Sequence, residues 1–211
     1  CKLKSISRVY NGIDITYRPD KNDPSIIAQI NKFRDLNYKI IGSYAYLTRI
    51  KGLEQLIKVL EKRKDLAVVI IGEGEAKNEL IELSRTLNVI DRTLFLDYLP
   101  TPYNYLFLFD VYAMCSRSEG FGLAAVEATL MQTPVVCSNI SIFKEIFDDT
   151  KVSFFELDNI SSLLESINIA ISTIGKLKAK VALNYSLNNF SGYKMASNYL
   201  DIYSNLLNGK I

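Results

Sequence analysis

Short β-branched runs that alternate with helical patterns constrain this chain more than any other feature. Residues 39–43, 66–71, 93–96, 110–115, 134–138 and 152–155 are apolar and of strand length, and helical periodicity fills the intervals. Leu53, Leu56, Ile57 and Leu60 recur at i, i+3, i+4 and i+7, as do Ile160, Leu163, Leu164 and Ile167. This alternation predicts an α/β fold, a doubly wound, mostly parallel sheet with helices on both faces. No repeat or domain boundary interrupts it, so residues 1–211 are expected to form a single domain with one sizeable core.

The flanks are expected to be simpler. Residues 6–10 read as an opening strand before a turn at Asn11-Gly12, and Asp23-Pro24 reads as the start of a helix reaching about Leu36. The polar interval 184–191 reads as a joint before a last helix, in which Ala196, Tyr199, Leu200 and Tyr203 repeat the helical period. These residues suit either core packing or a partly exposed apolar patch. The chain opens at Cys1 rather than Met, and the expectation is a piece of a longer protein.

Composition removes several function classes. With no histidine, no Ser/His/Asp or Cys/His relay can be completed within the chain. A net charge of +2 offers little to a polyanion, so nucleic-acid binding is not expected. Cys1, Cys115 and Cys137 lack metal-type spacing, the last two lie in apolar runs, and they read as buried thiols in a reducing compartment. No apolar run approaches the roughly 20 residues of a membrane span.

In an open parallel sheet, ligands bind beyond the carboxyl ends of the strands, so the strand-to-helix loops are where chemistry is sought. The richest is 116–122, Ser-Arg-Ser-Glu-Gly-Phe-Gly, entering a helix at Leu123. Its glycines permit close backbone approach, and a helix start offers unpaired N–H groups to a phosphate. Glu119 precedes that start and Glu127 follows it by about one turn, so both carboxylates can face one ligand space. Carboxylates repel phosphate, which makes neutral hydroxyls of a ribose or sugar their natural partners. The plain alternative is a helix-start acid and a solvated glutamate, although the apolar neighbours of Glu127 suit exposure poorly.

Other loops say less. Arg49 and Lys51 precede a helix, where cations are disfavoured by the macrodipole unless an anion reconciles them; a solvated basic pair is the alternative. Gly72-Glu73-Gly74 lacks the third glycine of a dinucleotide fingerprint. Residues 97–100 read either as a plain turn or as backbone lining a base pocket. No Asp-x-Asp and no ligand cluster suited to a divalent metal occurs, so no metal is expected.

Together, Glu119-Gly120-Phe121-Gly122-Leu123, Glu127-Ala128 and Thr133-Pro134-Val135-Val136 resemble the Glu-x7-Glu signature of retaining GT-B glycosyltransferases, specifically glycosyltransferase family 4. Support comes in order along the chain. Residues 9–14 (Val-Tyr-Asn-Gly-Ile-Asp) ahead of Arg18-Pro19, then Lys51-Gly52, Gly72-Glu73-Gly74, Asn189-Phe190-Ser191 and Ile202-Tyr203 are similar to family segments. The resemblance implies the Rossmann-like, donor-binding C-terminal half of a GT-B fold. An N-terminal acceptor domain would lie outside the chain, with the helix at about 191–207 packing back toward it. By the same likeness Lys51 and Arg49 would hold the donor diphosphate, and Gly120, Phe121, Gly122 and Leu123 would offer backbone groups to phosphate or sugar. Glu119 would contact the transferred sugar, Glu127 the ribose, and the backbone near Leu99 the base. Tyr46 stands where many members have Arg, and Asp97 where the family usually has Gly.

The implied reaction is metal-independent transfer of a sugar, with retention, from a UDP- or GDP-sugar to a glycan or lipid-linked acceptor. The expected place is the cytoplasm, including the inner face of the membrane where the acceptor is lipid-linked. The fragment alone is expected to bind donor and to transfer little. The rival readings are a nucleotide-sugar epimerase of related fold, which needs paired acid and base groups, and a non-catalytic nucleotide-binding module. A sugar phosphorylase lacks its cofactor lysine loop here, and an oxidoreductase would prefer NAD.

Overall fold

Every residue of the run Leu66–Ile71 is buried, which requires a strand flanked edgewise by other strands and covered by helices on both faces. The computed structural model describes residues 6–14 and 22–208; Cys1 and the pair Arg18-Pro19 lie outside the described residues. Six strands, β1 (Lys39–Tyr44), β2 (Leu66–Ile71), β3 (Thr93–Leu96), β4 (Val111–Met114), β5 (Val135–Ser138) and β6 (Ser153–Phe155), form one sheet in the order β3-β2-β1-β4-β5-β6. Every pairing is parallel. Strand order reverses direction between β1 and β4, and that switch point opens a crevice beyond their carboxyl ends.

Period-two alternation sorts the strand residues between two cores. Ile40, Ala67, Val69, Ile71 and Tyr112 face a cluster with α1 (Pro24–Asp35), α4 (Leu123–Leu130) and α5 (Ser141–Ile146). Ile41, Leu66, Val68, Ile70 and Val111 face the other, with α2 (Glu54–Lys62), α3 (Lys77–Thr86) and α6 (Ile160–Ile171). Asp23 caps α1 by accepting from the Ser25 amide at 2.8 Å, and Pro24 opens the helix where its missing N–H costs nothing. Cys115 and Cys137 are buried free thiols, and burial pushes both well up from the usual thiol range.

Two flanking expectations are corrected. Residues 6–10 form no strand; their side chains Arg8 and Tyr10 meet Glu145, and the segment's backbone meets the domain at a parallel bridge, Ile13 with Ser191. There the Ile13 amide donates to the Phe190 carbonyl and the Gly192 amide to the Ile13 carbonyl, both at 2.8 Å. The joint expected over 184–191 shrinks to Phe190 and Ser191 between α7 (Thr173–Asn189) and α8 (Gly192–Leu207). Polar residues there do not break α7: Asn184 and Asn188 lie on its solvent side, and the Ser186 hydroxyl is satisfied by Thr129 at 2.7 Å. α8 has no buried residue among those described, so Tyr199, Leu200 and Tyr203 are exposed rather than core. No helix of the described residues is long and apolar enough to cross a membrane.

Candidate functional site

The crevice at the switch point is a cavity of about 700 Å3. β1 delivers Ser43 and Tyr44 to it, the exit of β4 delivers Cys115 and Ser116, and the loop into α4 delivers Glu119, Gly120, Phe121, Gly122 and Leu123. Lys51 enters from the loop after β1, Glu127 from α4, and Asn11 from the N-terminal segment. Of the residues singled out in the sequence, Lys51, Glu119, Gly120, Phe121, Gly122, Leu123 and Glu127 thus share one wall system.

The charges are arranged rather than scattered. Lys51 Nζ meets Glu119 Oε1 at 2.7 Å, with Glu119 only 10% exposed, and the Ser116 hydroxyl donates to the same oxygen at 2.6 Å. One ammonium donor is used in this way and two remain for an anion. Glu127 is deeper. Burial raises its carboxyl above the usual range, opposed by the Tyr44 hydroxyl, which donates to Oε2 at 2.5 Å. α4 begins at Gly122 with no side-chain cap, so its first amides are left for a ligand.

The Lys51 loop is fastened from behind. The buried Gln55 amide donates to the Gly52 and Cys115 carbonyls, each at 3.2 Å, and accepts from the Asp158 amide at 2.9 Å. Gly52 has φ +62°, and a Cβ there would sit 2.2 Å from the Cys115 carbonyl oxygen. Arg117 adds a strap, donating to the Arg49 carbonyl at 2.7 Å and to Glu54 at 2.5 Å, with Asp158 as a further partner.

Two residues singled out in the sequence stand apart. Arg49 is 82% exposed, pairs with Glu79 at 3.1 Å and lines a separate cavity with Lys58 and Leu83. The 3₁₀ turn Arg49–Lys51 explains the separation, because residues two apart on such a turn project to different sides. Leu99 packs against the core, while Pro100, Pro102 and Tyr103 line the cavity. Asp97 is engaged by Lys77.

The residue-level reading gave no role to Ser43, Tyr44, Ser116 or Tyr103, although Ser116 opens the loop 116–122 that it singled out. The first two end β1, so the rule that ligands sit beyond strand ends had pointed to them; Tyr103 had no comparable signal.

Residues 26–182 match the family model for glycosyl transferases group 1. The chain belongs to that family. It is 34% identical over 202 residues to the O-antigen biosynthesis glycosyltransferase WclY of Escherichia coli, covering 94% of this chain and 55% of that protein. It is 30% identical over 167 residues to the N-acetylgalactosamine-N,N'-diacetylbacillosaminyl-diphospho-undecaprenol 4-alpha-N-acetylgalactosaminyltransferase of Campylobacter jejuni, covering 78% of this chain and 44% of that protein. The chain thus spans about half the length of the curated relatives it matches. Among solved structures, Anabaena Alr3699/HepE in complex with UDP and glucose superposes with a TM-score of 0.79 at 23% identity, over 94% of this chain and 55% of that one. The sheet is accordingly the Rossmann-like half of a GT-B fold.

Within this group 1 domain, two glycines separate folding from binding. Gly122 has φ +89°, and a Cβ would lie 2.4 Å from the Phe143 ring, whereas a Cβ on Gly120 meets nothing within 4 Å. Gly122→Ala is expected to cost about 1–3 kcal/mol from backbone strain alone. Gly120→Ala is expected to stay within about 0.5 kcal/mol of the parent and, as Gly120 lines the cavity, to act instead on the ligand that the cavity takes. Denaturant titration and calorimetry of the two variants check the contrast.

Proposed function

We propose that this chain is the donor-binding part of a retaining glycosyltransferase that takes a sugar from a nucleoside diphosphate-sugar and passes it to a glycan or lipid-linked acceptor. The observation that supports it best is the convergence of Lys51, the Gly120–Gly122 loop, Glu119 and Glu127 on one cavity at the switch point. The names of the relatives suit a saccharide or polyprenyl-diphosphate acceptor, and UDP in the structural neighbour makes a UDP-sugar the first donor to try.

Each group then has a distinct task. Transfer breaks the bond between the anomeric carbon and the diphosphate oxygen, while the acceptor hydroxyl oxygen bonds that carbon on the same face. Negative charge grows on the departing diphosphate, and Lys51 with the uncapped amides of α4 is placed to stabilise it, with no resident metal invoked. The ammonium can bridge Glu119 and the phosphate, which ties sugar recognition to leaving-group stabilisation. Glu119 accepts from sugar hydroxyls and Glu127 from the ribose. The acceptor's proton is handled in the cleft shared with residues outside this chain.

Calorimetric titration of the chain with UDP, GDP, ADP and NAD tests the reading. Saturable binding of one nucleoside diphosphate is expected, weakened by about tenfold or more in Glu127→Ala through loss of a charge-assisted hydrogen bond. Glu119→Ala is expected to blunt discrimination among sugar nucleotides more than affinity for the bare diphosphate. Binding of NAD alone, or parent-like behaviour of both variants, overturns the assignment.

A further inference from the structure

Tyr44 belongs to no motif, yet it fixes one end of the site. Its hydroxyl donates to Glu127 Oε2 at 2.5 Å. The tyrosine is buried at the end of β1, its ring centroid lies 4.9 Å from that of Tyr112, and the Tyr112 hydroxyl donates to its carbonyl at 3.3 Å. Rotation of the Tyr44 ring away from Glu127 would therefore disrupt packed core, so the hydrogen bond is set before any ligand arrives. A carboxylate has about four acceptor positions and Tyr44 occupies one, which leaves capacity for two hydroxyls from the cavity. A carboxylate held in one rotamer also loses little side-chain entropy when it binds.

We propose that Tyr44 is a positioning residue that holds the Glu127 carboxylate ready for a ribose diol, and that the Tyr44–Glu127 pair gives the site its preference for ribonucleotides over deoxyribonucleotides. The inference rests on the assignment of Glu127 to the ribose made above. Near Glu127 stand the Tyr44 hydroxyl from β1, which bonds it, the Tyr112 hydroxyl from β4, which is given to the Tyr44 carbonyl, and Tyr103, which lines the same cavity. Burial raises Tyr44 and Tyr112 well above their ordinary range, so both stay neutral. Lys51, the cation lining the same cavity, is engaged by Glu119.

A pH dependence follows. The Glu127 anion accepts both ribose hydroxyls, so binding weakens as pH falls through its raised pKa. Tyr44→Phe removes the hydrogen bond that favours the anion and leaves burial unopposed, which moves this acid limb to higher pH.

The test titrates the chain with UDP and 2′-deoxy-UDP, and with GDP and 2′-deoxy-GDP, across pH 5–8, using the pair that binds. The parent is expected to prefer the ribonucleotide by about tenfold, the worth of one hydrogen bond to a charged group. In Tyr44→Phe the preference is expected to shrink to about threefold or less, with the acid limb displaced upward. A Tyr44→Phe variant that keeps both the preference and the limb overturns the proposal, provided Glu127→Ala loses the preference. Should Glu127→Ala keep it as well, the assignment of Glu127 to the ribose fails first. The double variant Tyr44→Phe/Glu127→Gln guards against an unstable single variant, because it leaves no buried carboxylate unpaired. If Tyr44 acts through Glu127, the double variant discriminates no worse than Glu127→Gln; a further loss overturns the proposal.

Discussion

Lys51→Ala is expected to lower the affinity of this chain for the nucleoside diphosphate proposed above by about a hundredfold, while the fold is retained. The loss has two sources. The ammonium's own hydrogen bond to a phosphate is charge-assisted and worth about 1.5–3 kcal/mol, a factor of about ten to a hundred. Removing the cation also frees Glu119, which is 10% exposed and otherwise paired at 2.7 Å, so the cavity then presents an uncompensated carboxylate to the incoming diphosphate. The second source is separable: Lys51→Ala/Glu119→Gln should recover part of the affinity, because the repulsion is gone while the cation is still missing. Calorimetry on the parent and both variants measures the split. Parent-like binding by Lys51→Ala would mean the diphosphate sits elsewhere, and an unrecovered double variant would mean that Glu119 does not face it. Arg49 provides the comparison, since its guanidinium is turned to Glu79 and its removal should leave binding close to the parent's.

That contrast between two cations two residues apart shows where the sequence was legible and where it was not. The strands were readable because a buried parallel strand must be apolar along its whole length, as β2 is, and the short runs left little choice of boundary. The cavity was readable in outline because strand ends at a switch point and a glycine turn before a helix follow from local chemistry. The direction in which a side chain leaves a 3₁₀ turn does not follow from composition, so the residues alone left open whether Arg49 reaches the same anion as Lys51. The role of Tyr44 was not legible for another reason: its place just past the run 39–43 marks it as near the site, but its task comes from Glu127, 83 residues away in sequence. The polar residues at the end of α7 were misleading because polarity marks a solvent-facing helix side as readily as a loop.

Phe190→Ala is expected to be among the most damaging substitutions in the molecule, at about 3–5 kcal/mol of stability. Phe190 is fully buried, and among the described residues four rings surround it: Phe121 and Tyr185 at 5.6 Å, Tyr10 at 6.0 Å and Phe147 at 6.2 Å, all edge-on. Edge-to-face contacts add to area burial, and because the four share one ring their loss is not a sum of pairs. A domain of this kind has about 5–15 kcal/mol in total, so a midpoint shift in denaturant titration should be large. The consequence reaches the site through Phe121, which lines the cavity, touches Phe190 and lies 5.9 Å from Tyr10. It also reaches the N-terminal segment, because the Phe190 carbonyl accepts from Ile13. Phe190→Leu keeps much of the volume but loses the ring edges, and it should fold while holding residues 120–122 less firmly, weakening nucleotide binding severalfold. If Phe190→Leu binds as the parent does, the aromatic cluster supports the fold alone and the loop into α4 is held by Gly122 and Phe143 without it.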